Sequence, residues 1–488
     1  MKNHTDSAES RNDFRSRDAA LMGAESSTTE VVKVDWVDPL RLFSSNRFDF
    51  AAKSLYLRFL TNHIDSNWGK QVYCLHLSLW NGFFERFPPK RCEADFIDAF
   101  HRIMESAQTL TQEGFPSIIP LTSDGVPLNG AHRITTALHF HKKVACVHTE
   151  ILSAQCNWNY RYFRRLADDS PHPDAEDAFD AMALELCRVL PRIAIAVIFP
   201  AAKGRDVDVE RILGEHASIH YRKDVEFGPD GRVQLMRTLY EREPWLGDHG
   251  DGFAGARNKA VACFPCSRPA KFFLLAYDEP AELMRAKARV RELFDVGNHS
   301  IHITDTREEA WRAARLAFSK NSVAFVNRRP VVMMRNFETL FSEYRRAITD
   351  VPNDEDFCVE GGAVMAVCGI RDCGDFDYLH HQTPLRVGVD ERIRENNGHA
   401  HYHRGRTLDD VIFDHRNHFY WQGLKFVSLE NLRSWKVARG LPRDHRDIAL
   451  IDASLVSGAR AIISRRWRGM TKLLMRKPRS ALRQRRAN

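Results

Sequence analysis

Two aspartates separated by one residue, Asp375-Phe-Asp377, carry the strongest chemistry in the chain. On an extended strand positions i and i+2 share a face, so the two carboxylates point the same way. Such a pair can hold a divalent metal. Mg²⁺ takes hard oxygen ligands and leaves other positions to water and nucleotide phosphates, and two such ions stabilise both the attacking and the leaving oxygens of a phosphoryl displacement. Gly361 and Gly362 lie shortly upstream, ahead of a helical run, where missing side chains let backbone N–H groups approach phosphate oxygens. A lone Asp-x-Asp also suits a solvated strand edge; the glycine pair at this spacing favours the site. A second phosphate-type arrangement is Gly130-Ala-His132-Arg133, in which the glycine permits a tight turn, the helix start offers free N–H donors and Arg133 adds a planar cationic fork. Gly130, His132 and Arg133 are its candidate ligands. His302 is a further candidate, placed where a short strand runs into a helix with Thr306 and Glu309 at capping-box spacing. The alternating His399, His401 and His403 lack a carboxylate or thiolate at metal spacing, and Cys263-Phe-Pro-Cys266 lacks the second pair that zinc requires.

Periodicity supplies the elements that must position these groups. Residues 1–30 are polar and aperiodic and are expected to be a disordered tail. A first unit spans 31–155: a helix over Asp95–Gln112, strands at Ser117–Leu121 and Val126–Leu128 around a Ser-Asp-Gly turn, a helix from Gly130 towards Lys142, and a closing strand at Val144–Val147. Residues 156–180 read as a linker around Ser170-Pro-His-Pro-Asp174. A middle unit, 181–330, alternates strands and helices, with strands at Ile193–Phe199, Lys271–Tyr277 and Ser300–Thr304. The third unit, 331–460, opens with a helix through Phe337–Ile348, carries the glycine and aspartate motifs, and ends with a helix at Ser428–Arg439. The fold class is α+β and multidomain, with an α/β sandwich-like middle unit.

The segment Cys358–Leu379 resembles the nucleotidyltransferase superfamily with the DNA polymerase β-type palm, whose signature is a glycine pair, a spacer of about a dozen residues and an acid-x-acid strand. The resemblance implies a third acid on a neighbouring strand, matched by Leu408–Phe413 with Asp410 as first choice and Asp409 as second. It further implies a nucleotide-contacting role for Lys436 in the late helix. On this reading Asp375, Asp377 and Asp410 are catalytic and hold Mg²⁺ or Mn²⁺, and Gly361 and Gly362 cradle an NTP. The stretch around Gly130–Arg133 is similar to the ParB/sulfiredoxin-like fold, which implies a nucleotide or phosphorylated ligand. The surroundings of His302 are similar to those of the phospho-accepting histidine of nucleoside diphosphate kinases, with one departure. Phe199-Pro-Ala-Ala202 stands where those kinases carry a phosphate-binding lysine, so a structural role for His302 is expected.

Together these imply transfer of a nucleoside monophosphate from an NTP to a small-molecule acceptor, a sugar phosphate in polysaccharide biosynthesis being one such context. The alternatives are a phosphotransferase acting through the first unit, and a nucleotide-sensing or DNA-associated binding module with an inactive palm.

Composition bounds the rest. With 488 residues, 43% hydrophobic and 10% aromatic, the chain can bury several cores. The formal charge of +7 comes from the end: 461–488 holds ten Arg and Lys and no acid, leaving the remainder at −3. There Ile463, Trp467, Met470 and Leu474 recur at helical spacing among arginines, the pattern of a basic amphipathic helix suited to an anionic membrane or, second, to nucleic acid. No apolar run approaches the roughly 18 residues of a membrane span, and nothing reads as a signal peptide. With ten scattered cysteines, a cytoplasmic protein that is peripheral at the membrane through its tail is expected.

Overall fold

The computed structural model describes residues 34–81, 92–109, 114–155, 157–329, 334–385 and 390–456. The expected disordered tail and the basic amphipathic segment lie outside them. The architecture is α+β, with three sheets flanked by helices.

The first sheet has three strands, β1 (Asp35–Val37), β2 (Gly114–Leu121) and β3 (Lys143–His148), in the order β1-β3-β2. β2 runs parallel to β3, pairing Leu121 with His148, and parallel neighbours need a crossover. The helix Ala131–His139 supplies it, entered through Gly130. The expected strand at Val126–Leu128 is reduced to one bridge, Leu121 to Pro127. Helices Asp49–Thr61 and Trp68–Asn81 complete this unit; their apolar positions gave too weak a pattern to be foreseen.

The second sheet comprises β4 (Ile193–Ile198), β5 (Ser218–Val225), β6 (Ala270–Ala276) and β7 (Ile301–Ile303), all antiparallel, in the order β5-β6-β4-β7. Both faces of β4 are covered, which is why its sequence is an unbroken apolar run. Ala194, Ala196 and Ile198 pack beneath the helices Asp206–His216 and Pro280–Phe294, while Ile195 and Val197 enter the main core. Strand, helix, strand, strand, helix, strand is a split β-α-β arrangement, here with helices Pro229–Leu239 and Ala254–Cys263 inserted between β5 and β6.

The third sheet is mixed and has five strands: β8 (Phe357–Glu360), β9 (Phe376–His380), β10 (Ile393–Glu395), β11 (His418–Trp421) and β12 (Leu424–Val427), in the order β10-β9-β8-β12-β11. Antiparallel β8 and β9 set Glu360 opposite Asp377, and parallel β9 and β10 set Asp377 opposite Arg394.

Two expectations about organisation are corrected. The linker assigned to 156–180 contains helix Tyr160–Asp169 and the first turns of Ala175–Val189, whose Phe179, Met182 and Leu186 are deep in the core. Only 170–174 connects. One hydrophobic cluster, running from Leu42 to Ile451, reaches residues of all three units, beside smaller clusters in the middle and first units. The second correction concerns Leu408–Phe413, expected as a strand and found as a helix.

Candidate functional site

The glycine and aspartate motifs meet at one corner of the third sheet. β8 ends at Glu360 and the chain turns through Gly361, whose φ of +68° a residue with a side chain adopts only with strain. Asp375 and Asp377 flank the start of β9 on the next strand. A Cβ placed on Gly361 would lie 2.7 Å from Asp377 Oδ2, and one on Gly362 would lie 3.5 Å from Asp375 Oδ1. The missing side chains therefore open the space that the two carboxylates face. Burial, then the neighbouring Asp375 charge, pushes the Asp377 carboxyl up to about 6.

Two arginines complete the corner. Arg394, on β10, donates to Asp375 and stands 3.8 Å from Asp377 Oδ1. Arg371, in the connection between the glycine helix and β9, is held by Asp447 through two hydrogen bonds of 2.8 Å. Its Nη1 lies 3.9 Å from the position a Gly362 Cβ would take. Neither arginine was singled out from sequence. Arg371 lies within the spacer and was visible there, whereas Arg394 becomes relevant only through the pairing of β10 with β9.

Other expected members are elsewhere. Asp410 caps its own helix: its carboxylate accepts from Thr407 N at 2.9 Å while Thr407 Oγ1 accepts from Asp410 N at 3.0 Å. Thr407-x-x-Asp410 is a capping box, and that local bond is why the segment is helical. Asp409, the second choice, is buried and accepts from Asp65 N at 2.7 Å and pairs with His381 Nδ1 at 2.8 Å. His381 stands four residues beyond Asp377, about 13 Å along an extended chain. Lys436 is buried against Asp447 at 2.8 Å and Asp444 at 3.3 Å, one step behind Arg371. The third carboxylate beside the pair is Glu360. It is fully buried, accepts from Asn396 and bonds His403 Nε2 at 2.9 Å. His403 is thus consumed, while His399 and His401 bond Asn396 Oδ1 and Gly398 O, so the three imidazoles do not converge. Among the described residues no group of three or more His, Cys, Asp or Glu side chains is arranged to hold a metal ion.

Asp375 and Asp377 nonetheless fit one hard cation. They are two adjacent oxygen donors on a cradle that a Cβ would fill, and Mg²⁺ draws its remaining ligands from water and phosphate. A two-metal set built on Asp410 does not fit.

In the first unit Gly130 (φ +82°) and Arg133 are brought together: a Gly130 Cβ would lie 3.2 Å from Arg133 Nη2. Burial lowers the Arg133 pKa. Among the described residues no carboxylate pairs with this guanidinium. His132 faces inward instead, with Nε2 2.7 Å from the Tyr73 hydroxyl. Burial, then the Lys53 charge, holds its pKa well below the ordinary value.

His302 sits on β7, buried, with its ring edge-on to Tyr240 at 4.7 Å between centroids. It borders a cavity of about 650 Å³.

No protein family, characterised protein or solved structure matches this chain. Among the described residues no helix is long and apolar enough to cross a membrane.

Proposed function

We propose that the third unit transfers a nucleoside monophosphate from an NTP to a small-molecule acceptor, at the corner formed by Gly361, Gly362, Asp375 and Asp377. The observation that carries this reading is the 2.7 Å approach between the absent Gly361 side chain and Asp377 Oδ2, which puts a bare backbone turn and an acid pair around one space. The turn admits a triphosphate close to the main chain. Arg371 and Arg394 border the same space and offer planar donors to phosphate oxygens. Asp375 and Asp377 would hold one Mg²⁺ or Mn²⁺, whose positive charge would offset that of the triphosphate and the departing pyrophosphate. Lys436 acts from behind by neutralising Asp447, which orients Arg371. A sugar phosphate is the acceptor class to assay first, because an acceptor bearing its own phosphate can use the second arginine.

One observation favours a second reading, nucleotide binding without transfer. Arg394 already occupies Asp375, and among the described residues no third acid completes a metal-holding group with the pair. One experiment separates the two: pyrophosphate release from a panel of NTPs with Mg²⁺ and sugar-phosphate acceptors, in the parent, Asp375→Asn and Asp377→Asn. Transfer predicts that both substitutions reduce the rate at least a hundredfold, on the order of 3 kcal/mol of barrier, while the fold is kept. NTP binding without turnover in the parent selects the binding reading. Equal rates in all three proteins remove both aspartates from the mechanism.

A further inference from the structure

The cavity beside His302 lies in the second unit and is built with the opposite polarity. Its lining includes Lys259, Lys287, Arg291, His302, Tyr240 and Trp245. Acids line it too, but each is engaged locally. Glu243 accepts from the Trp245 indole at 3.1 Å, Glu309 accepts from Asp305 N at 3.0 Å, and Asp305 pairs with Lys287 at 3.6 Å. Lys259 bonds only uncharged groups, Asn298 O at 2.8 Å and His299 Nδ1 at 3.4 Å. Among the described residues neither Lys259 nor Arg291 has a carboxylate partner, and Arg291 Nε is buried with no hydrogen bond.

The decisive group is the imidazole. His302 is 6% exposed, and among the described residues its buried Nε2 has no hydrogen-bond partner. An unpaired polar atom is costly to bury in that setting, and it borders a cavity large enough for a small organic ligand. Burial first, and then the positive charges of Lys287, Lys259 and Arg291, hold the ring neutral, with a pKa of about 3. A neutral imidazole with its proton on Nε2 is a hydrogen-bond donor surrounded by cations. Lys259, Arg291 and His302, three donors from three elements, suit a tetrahedral anion with several acceptor oxygens better than a planar carboxylate with two. Tyr240 and the partly exposed Trp245, with ring centroids 5.1 Å apart, form an aromatic wall beside it.

We infer that this cavity binds, without covalent transfer, a small phosphomonoester carrying a flat ring, its phosphate held by Lys259, Arg291 and His302 Nε2 and its ring placed against Tyr240 and Trp245. No phosphoryl group passes to His302. The site is separate from the acid corner and does not depend on the transferase reading.

The test titrates the full chain with phenyl phosphate, inorganic phosphate and phenol, following Trp fluorescence and heat. Phenyl phosphate is expected to bind saturably, more tightly than inorganic phosphate, with phenol silent. Lys259→Gln and Arg291→Gln should each weaken it by roughly ten- to a hundredfold, the range for charge-assisted hydrogen bonds. Asp377→Asn should bind phenyl phosphate as the parent does. Lack of saturable binding in the parent up to the order of 10 mM overturns the inference. So does binding that neither substitution weakens, since the phosphate then sits elsewhere. Acid-labile phosphate on His302 after incubation with NTP overturns its non-covalent part.

Discussion

The acid corner of the third sheet and the His302 cavity of the second are opposites in charge. In the first, two carboxylates crowd one another and a single arginine, Arg394, only partly offsets them. In the second, cations surround a neutral imidazole whose Nε2 has no partner. Each place leaves unlike charge missing, so each is poised for a partner of the opposite sign, a cation in one and an oxyanion in the other. Uncompensated charge at a solvent-reaching cavity marks a binding site more sharply than the residue type does. Glu360 makes the contrast: it is a carboxylate directly opposite Asp377, but each of its oxygens already has a partner, Asn396 on one and His403 on the other.

That contrast yields the largest expected effect. Removing the imidazole by His403→Ala leaves the buried Glu360 charge with one partner and should destabilise the chain by about 3–5 kcal/mol. Glu360→Gln in the same background should recover part of the loss. Urea denaturation of the two variants and the double variant measures it. A loss below about 1 kcal/mol would show that Glu360 and His403 pair as weakly as solvent-exposed groups do.

Gly361→Ala comes next. The new methyl meets Asp377 Oδ2 at 2.7 Å and the backbone keeps a φ that disfavours alanine, so about 1–3 kcal/mol of stability should be lost. The short aspartate side chain can yield only by rotating its carboxylate, so metal-dependent pyrophosphate release should fall further than stability does. Preserved turnover would detach the glycine from the chemistry.

Much of this arrangement was legible before any coordinates. The acid pair on its strand and the glycine pair ahead of a helix follow from local spacing, and so do the strand–turn–helix around Gly130 and the apolar run of β4. What local spacing could not supply is which distant strand lies alongside. Arg394 is assigned only by the pairing of β10 with β9, and Glu360 only by that of β8 with β9. Asp410 is a different failure. Thr407-x-x-Asp410 carries a helix-start signal four residues long, which the family resemblance, placing this segment on a strand, left unread. The helices within 156–180 were hidden by Pro171 and Pro173, which break only the short connection between them.

The two sites should also respond to pH with opposite sign. His302 has a pKa of about 3 in the fold against an ordinary 6.5, so unfolding takes up a proton between those values. Its stabilising contribution is present above pH 6.5 and is lost as pH falls towards 3, at about 1.4 kcal/mol per pH unit. Asp377, raised from 3.8 to about 6, does the reverse: its contribution is present below 3.8 and lost as pH rises through 6. Relative to the parent, the urea midpoint at pH 5 should therefore rise against that at pH 7 in His302→Gln and fall against it in Asp377→Asn. An unchanged pH difference in His302→Gln would mean that the ring is solvated, and the cavity would lose its neutral donor.

The smallest expected effect isolates Asp410, the acid that resembles a catalytic partner and acts as a cap. Its carboxylate accepts one backbone N–H, from Thr407, and the reciprocal Thr407 bond to Asp410 N survives substitution by asparagine. Asp410→Asn keeps an acceptor oxygen at the same position and should cost a few tenths of a kcal/mol, whereas Asp410→Ala should cost about 1 kcal/mol, the usual value for a lost cap. Neither should change pyrophosphate release. A third metal-binding carboxylate would behave in the opposite order, because asparagine removes the charge that a cation needs while preserving the cap. Activity lost in Asp410→Asn with stability intact would place this acid back at the corner, and would require the helix to open before NTP binds.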